Sequence, residues 1–171
     1  MKNVVIVFFF LLSAITYGQK TAPLTSFNAL ESTLGAHITI IKATNNSLAY
    51  KGDEEKIEAI RWTIENKVLL LSSVVNTIDF KDVFITVYTS EIEGVILSNG
   101  GKLSMQEFNR IEDFTVSAAH GAHIDLSTIS FKNLVAEAAD NSTILYKTTR
   151  TLVSNSTTGG QVKATEGSRF L

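Results

Sequence analysis

Short runs of alternating apolar and polar residues occupy the chain from residue 27 to residue 88, and this pattern is typical of strands that bury one face. One segment differs, because acidic residues after Asp53 precede apolar positions at helical spacing. This predicts a short helix over residues 52–60 with Asp53 as its N-cap. The predicted strands, the third and fourth of which form a hairpin, are His37–Ile41, Ser47–Tyr50, Arg61–Ile64, Val68–Ser72 and Val83–Tyr88.

After Tyr88 the pattern repeats with a period of about twenty residues. The apolar residues Leu103, Ile124, Ile144 and Val162 follow one another at intervals of 21, 20 and 18 residues. Each unit has room for two short strands and a bend, but not for a helix of ordinary length. A second set of apolar residues stands two positions after the first and comprises Met105, Leu126, Tyr146 and Ala164.

Glycine or asparagine stands three residues before the first apolar residue of each unit. These two residue types enter the left-handed region of the backbone at low cost, so their recurrence predicts a structural bend in every unit. The predicted bend residues are Gly100, Gly121, Asn141 and Gly159.

A repeat of this length indicates a solenoid. Leucine-rich repeats share the length but need several leucines and an asparagine per unit, which these units lack. The remaining fold is a single-stranded parallel β-helix, in which each coil stacks on the previous one about 4.8 Å away. We therefore predict an all-β fold of about four C-terminal coils of 18–21 residues, preceded by short N-terminal strands and one short helix.

Strand alternation then turns a set of mainly polar residues outward from the predicted coils. Stacking forms two rows, one of Lys102, His123, Thr143 and Gln161, and one of Ser104, Asp125, Leu145 and Lys163. Such a flat, mixed polar face can bind an extended glycan or a protein strand weakly. The sequence Gly35–Ile38 recurs at Gly121–Ile124, which indicates that an N-terminal strand belongs to the same stack.

The first eighteen residues have the composition of a signal peptide. Lys2 precedes an almost unbroken apolar run over residues 4–14, and small residues stand before a cleavage site at Gln19. We expect a signal peptide at 1–18, a short lead at 19–26 and one domain at 27–171. The protein would then be exported to the periplasm or the cell surface, with no transmembrane segment after cleavage.

Composition excludes several classes of protein. The net charge of −2 and the isoelectric point of about 5.9 give no basic footprint for nucleic acid. The chain contains no cysteine, which excludes disulfides, thiolate metal sites and a cysteine nucleophile.

Three stretches of the chain resemble the auto-transporter adhesin, head GIN domain family, which is found in exported proteins of Bacteroidetes-type bacteria. They are Phe27–Leu30 with Gly35–Ile40, then Gly52–Ile60 with Glu65–Leu71, and finally Val83–Tyr88 with Ile92–Gly101. The resemblance covers about residues 26–170. It implies a right-handed parallel β-helix and an adhesin-like role, and it supplies no site residues.

The candidate catalytic groups are dispersed. His120 and His123, with Asp125, would place metal ligands on a bend and a strand that point different ways, so we predict no metal site. His123 and Asp125 could pair, but no positioned nucleophile accompanies them. The carboxylates Asp113, Asp125, Glu137 and Asp140 occupy different positions in their units and form no groove of paired acids.

We therefore expect a non-catalytic, cofactor-free envelope or surface protein. Its partner would be a glycan, a protein or a neighbouring copy. A purely structural envelope role and a small carbohydrate-active lyase or hydrolase are the alternatives.

Overall fold

All strands in the described part of the protein belong to one sheet. The structure is a computed structural model that describes residues 20–75 and 77–165. A single helix, α1 (Glu54–Ala59), lies between β4 and β5 in this part of the chain. The strands are β1 (Lys20–Pro23), β2 (Ala29–Ser32), β3 (His37–Lys42), β4 (Ser47–Lys51), β5 (Ile60–Glu65), β6 (Val68–Ser73), β7 (Phe84–Thr89), β8 (Gly94–Leu97), β9 (Lys102–Gln106), β10 (Arg110–Ala118), β11 (His123–Ala138), β12 (Thr143–Ser156) and β13 (Gln161–Ala164).

The sheet curls into a half-barrel because its two longest strands, β11 and β12, turn a corner. The register between them shifts after Leu126 and resumes at Ser130. Before the corner the strand order is β1-β4-β7-β3-β9-β11-β12-β13, which we call the first wing. After the corner the order is β5-β6-β2-β8-β10-β11-β12, which we call the second wing. The core lies between the two wings.

The predicted single-stranded right-handed parallel β-helix is wrong, because the sheet is mixed. β4 pairs antiparallel with both β1 and β7, and β5 pairs antiparallel with β6. The β5–β6 turn places Asn66 and Lys67 at φ of 51° and 64°, the left-handed pair that a tight hairpin requires. The sequence repeat starts only after Tyr88, and the N-terminal segment reverses direction where a β-helix would continue to coil.

The local predictions for this N-terminal segment are confirmed. The helix is present, and the Asp53 carboxylate accepts a hydrogen bond from the Lys56 backbone N–H at 3.1 Å. The hairpin of β5 and β6 is also present.

The first row of apolar residues predicted for the repeats is confirmed in register. Leu103 of β9 pairs with Ile124 of β11, which pairs with Ile144 of β12, and Ile144 pairs with Val162 of β13. Ile124 and Ile144 are fully buried. The same row continues upstream through Ile38 of β3 and Ile85 of β7. The second wing closes the core with a facing row of Leu69, Leu30, Val95, Val116 and Ala136.

Each of the four predicted bends consists of two left-handed residues. Gly100, Gly121, Asn141 and Gly159 have φ values of 72°, 75°, 59° and 80°. The residue before each of them is also left-handed, although none is glycine, and these residues are Asn99, His120, Asp140 and Thr158.

A column of small buried residues lies directly before the first residues of β3, β9, β11 and β12. Backbone N–H groups of the outward residues donate to the carbonyl oxygens of this column, which comprises Ala36, Gly101, Ala122 and Ser142. The Ser142 hydroxyl donates to the Ala118 carbonyl at 2.7 Å and accepts from the Ala139 N–H at 3.0 Å. The tight packing beside the bends thus leaves space only for small side chains.

Tyr50 of β4 should ionise late in an alkaline titration. It is 7% exposed, and burial raises the pKa of its hydroxyl to about 12. In the unfolded chain the pKa of this tyrosine is near 10. The contribution of Tyr50 to stability is therefore fully present below pH 10 and is lost as the pH rises from 10 towards 12. Tyrosinate absorbance should therefore show a late step that disappears in Tyr50→Phe. A late step that survives this substitution would contradict the assignment.

Candidate ligand-binding surface

The outward side of the first wing carries two continuous rows of side chains, and we call these two rows together the ladder face. Both rows are longer than the sequence predicts, since β3, β7 and β4 extend them. The first row is Lys51, Phe84, His37, Lys102, His123, Thr143 and Gln161. The second row is Ala49, Thr86, Thr39, Ser104, Asp125, Leu145 and Lys163.

Backbone pairing alone brings the predicted outward residues together. Lys102, His123, Thr143 and Gln161 are consecutive partners in one register, and so are Ser104, Asp125, Leu145 and Lys163. Neighbours along a row are therefore about 4.8 Å apart at the backbone. Lys102, Gln161 and Lys163 are exposed, and the other five side chains are half-buried between their neighbours.

The upstream end of the ladder face holds residues that the sequence reasoning missed. Phe84 is 49% exposed, and its ring stacks on the His37 ring with centroids 5.0 Å apart. Lys51, at the end of the same row, is exposed. The repeated tetrapeptide at Gly35–Ile38 was the signal for His37, because His37 and His123 occupy equivalent positions on either side of Lys102.

The carboxylates considered for catalysis do not converge. Asp125 accepts a hydrogen bond from the Ser127 backbone N–H at 2.9 Å, and Asp113 accepts one from the Asn133 amide at 2.6 Å. Asp140 lies 3.4 Å from the His120 imidazole across two neighbouring bends. Glu137 is on the outer side of the second wing. In residues 20–75 and 77–165, no three His, Asp or Glu side chains are grouped to hold a metal ion.

Acidic groups with lowered pKa values lie outside the two rows of the ladder face and are engaged in ion pairs. A hydrogen bond from Lys56, at 2.6 Å, lowers the pKa of the Asp82 carboxyl and ties α1 to the loop before β7. A hydrogen bond from Lys132, helped by Arg110, lowers the pKa of the Glu112 carboxyl at the corner of the sheet. These exposed ion pairs connect neighbouring elements and supply no acid or base to a cleft.

A cavity of about 350 Å³ opens beside the bend at Asn99 and Gly100, next to the loop that precedes β7. Its polar groups largely bond to one another or to the backbone. Asp79 pairs with Lys81 at 3.3 Å, the Ser73 hydroxyl donates to the Val75 carbonyl at 3.0 Å, and the Asn99 amide donates to the Thr33 carbonyl at 3.0 Å. These polar groups of the cavity are therefore already engaged.

The sequence matches the family model described as "Putative auto-transporter adhesin, head GIN domain" over residues 26–167. The chain belongs to this family. The match covers nearly all of the described residues, so both wings and the ladder face are parts of a head GIN domain. No curated protein sequence matches the chain.

Two crystal structures share the fold of this head GIN domain at low sequence identity. One is a putative adhesin from Bacteroides fragilis, with 15% identity, a TM-score of 0.70, and coverage of 85% of this chain and 74% of that chain. The other is a putative lipid binding protein from Parabacteroides distasonis, with 10% identity, a TM-score of 0.69, and coverage of 81% and 62%. In the described part of this chain, no helix has the length and apolar character needed to cross a membrane.

Proposed function

We propose that this head GIN domain is an exported, non-catalytic surface or envelope protein that binds an extended ligand through the ladder face. The observation that carries the proposal is the pair of rows on the ladder face. The first row runs across seven strands, from β4 to β13, and the second is accessible across six of them, because Ala49 of β4 is buried. A long, flat and regularly spaced face matches a polymer that lies across the strands, and a glycan is the leading candidate.

Family membership and the leader sequence support export and adhesion. The family description names an auto-transporter adhesin, and adhesins are proteins that work by binding. The predicted signal peptide at residues 1–18 lies outside the described residues, and its sequence supports delivery beyond the inner membrane. The expected lead at 19–26 and the domain at 27–171 remain predictions of the sequence.

The geometry of the ladder face supports binding without turnover. Acid–base catalysis needs two groups held on either side of the reacting bond. Asp125 is the only carboxylate in the two rows, and its oxygen is bonded to the backbone N–H of Ser127. The face therefore offers hydroxyls, imidazoles and ammonium groups for hydrogen bonding, without a pair of acids.

We expect the protein to retain glycans from a panel of envelope and host polysaccharides without cleaving any of them. Binding should weaken when Lys102→Ala and His123→Ala are combined, because the two side chains are adjacent on the first row. Two outward residues of the second wing supply a matched control, and Thr115→Ala with Asn155→Ala should bind as the unsubstituted protein does. Biolayer interferometry measures binding, and reducing-end and unsaturated-product assays measure cleavage.

Two results would overturn the proposal. Cleavage that disappears in Asp125→Asn would make the protein an enzyme. Glycan binding that falls equally in the ladder-face and control variants would place the ligand elsewhere on the surface.

A further inference from the structure

The two wings differ in the charge of their outward rows. On the ladder face, Lys51, Lys102 and Lys163 face outward with one acid, Asp125. The second wing has two outward rows, one through Glu31 and Glu137 and one that ends at Glu65. These two rows carry the three acids and no base. The whole chain has a net charge of −2. The ladder face is nevertheless basic, because three lysines and one acid lie on it.

The lysines of the ladder face are available to a ligand. Within residues 20–75 and 77–165, no ion pair engages Lys51, Lys102 or Lys163. The one acid of the rows is occupied, because the Asp125 carboxylate accepts the Ser127 N–H. An anionic group that reaches the first row would therefore meet unpaired ammonium groups.

An exposed aromatic ring lies among these cations. Phe84 sits between Lys51 and His37 in the first row, and Lys102 follows His37. The half-exposed Phe84 ring presents an apolar surface on which the C–H face of a sugar ring can pack. Phe84 and Lys102 are two strand spacings apart, roughly 10 Å, so one sugar can cover the ring while an acidic group further along the polymer reaches the ammonium.

We infer that the ligand of the ladder face is an acidic glycan, held by Phe84 stacking and by pairing of its anionic groups with Lys102 and its neighbours. This inference rests on the proposed function and names the class of its ligand. A nucleic acid fits less well, because the rows contain no arginine and the chain as a whole is acidic. The acidic rows of a second copy are the competing occupant, and the experiment distinguishes them.

The probes are polygalacturonate and the same polymer with its carboxyl groups reduced to alcohols. Isothermal titration of the folded protein should show that the acidic polymer binds about tenfold more tightly and that added salt weakens this binding. Lys102→Glu should lower the affinity for polygalacturonate about tenfold, because one attraction is replaced by a repulsion. Phe84→Ala should weaken binding of both polymers.

Arg150→Glu is the matched control, since Arg150 is exposed on β12 outside the outward rows of both wings. It changes the net charge as Lys102→Glu does, and it should leave the affinity within about twofold. Circular dichroism of all variants verifies that the exposed substitutions leave the fold intact.

Different results would overturn the acidic glycan as the ligand and the ladder face as the binding site. Equal affinity for both polymers, lost in Lys102→Glu, would overturn the acidic ligand and keep the ladder face as the binding site. Binding of polygalacturonate that falls equally in Lys102→Glu and Arg150→Glu would overturn both proposals. The acidic glycan would be overturned if neither polymer bound. It would also be overturned if sedimentation showed self-association that Lys102→Glu abolishes. The wider glycan panel would then test the ladder face.

Discussion

Replacing Ile144 with alanine should lower the free energy of unfolding by about 2–5 kcal/mol. Ile144 is fully buried, and its row neighbours Ile124 and Val162 lie on the adjacent strands. The substitution removes buried carbon atoms and leaves a cavity that the sheet cannot close, because backbone hydrogen bonds fix the strand spacing. Urea denaturation with an unchanged m-value would measure this loss.

Thr143→Ala is the internal control for Ile144. Thr143 is the preceding residue on the same strand and points to the opposite side of the sheet. Its replacement should change stability by no more than about 0.5 kcal/mol, as is usual for surface positions. If Thr143→Ala were the more destabilising of the two, the assignment of inward and outward rows would be reversed.

Gly101→Val should destabilise the protein by about 1–3 kcal/mol or more, for lack of space beside the bend before β9. A Cβ atom on Gly101 would lie 2.7 Å from the Leu34 carbonyl oxygen and 2.9 Å from a methyl group of Leu97. The first contact is with backbone, which cannot move without disturbing the turn that precedes β3. Thermal and chemical denaturation should report the same ranking of the variants.

Gly100→Asn separates conformational strain from crowding. Gly100 is left-handed with φ of 72°, and a Cβ atom there would meet no atom within 4 Å. Asparagine occupies the equivalent bend at Asn141 with φ of 59°. We expect a loss below about 1 kcal/mol, because asparagine tolerates this conformation. Equal losses for Gly100→Asn and Gly101→Val would contradict the crowding argument.

Periodicity predicts the strands and their register well because each sequence repeat must bury the same kind of residue at the same position. Leu103, Ile124 and Ile144 must all turn inward, and a shift of one residue would expose every one of them. The sheet topology was beyond this reasoning. No pattern around Ser47–Lys51 shows that β4 runs antiparallel to β7, since the choice depends on which edge of the sheet is free when the chain returns to it.

The candidate site was predictable only where it coincides with the repeats. Lys102, His123 and Thr143 follow from strand alternation, whereas Phe84 and Lys51 come from strands that the repeat does not include. The space restriction at Gly101 was also hidden, because its φ is not left-handed and its role depends on the distant Leu34 and Leu97. Contacts between segments remote in sequence leave no local signal.

Strand alternation also separates two kinds of evolutionary constraint. Inward residues such as Ile124 determine whether the chain folds, while their neighbours on the ladder face carry little of the stability. Point mutations on the outer side can therefore accumulate without bringing the protein near its stability threshold. A domain built in this way can change the ligand it recognises while its architecture persists, which agrees with a shared fold at 15% sequence identity.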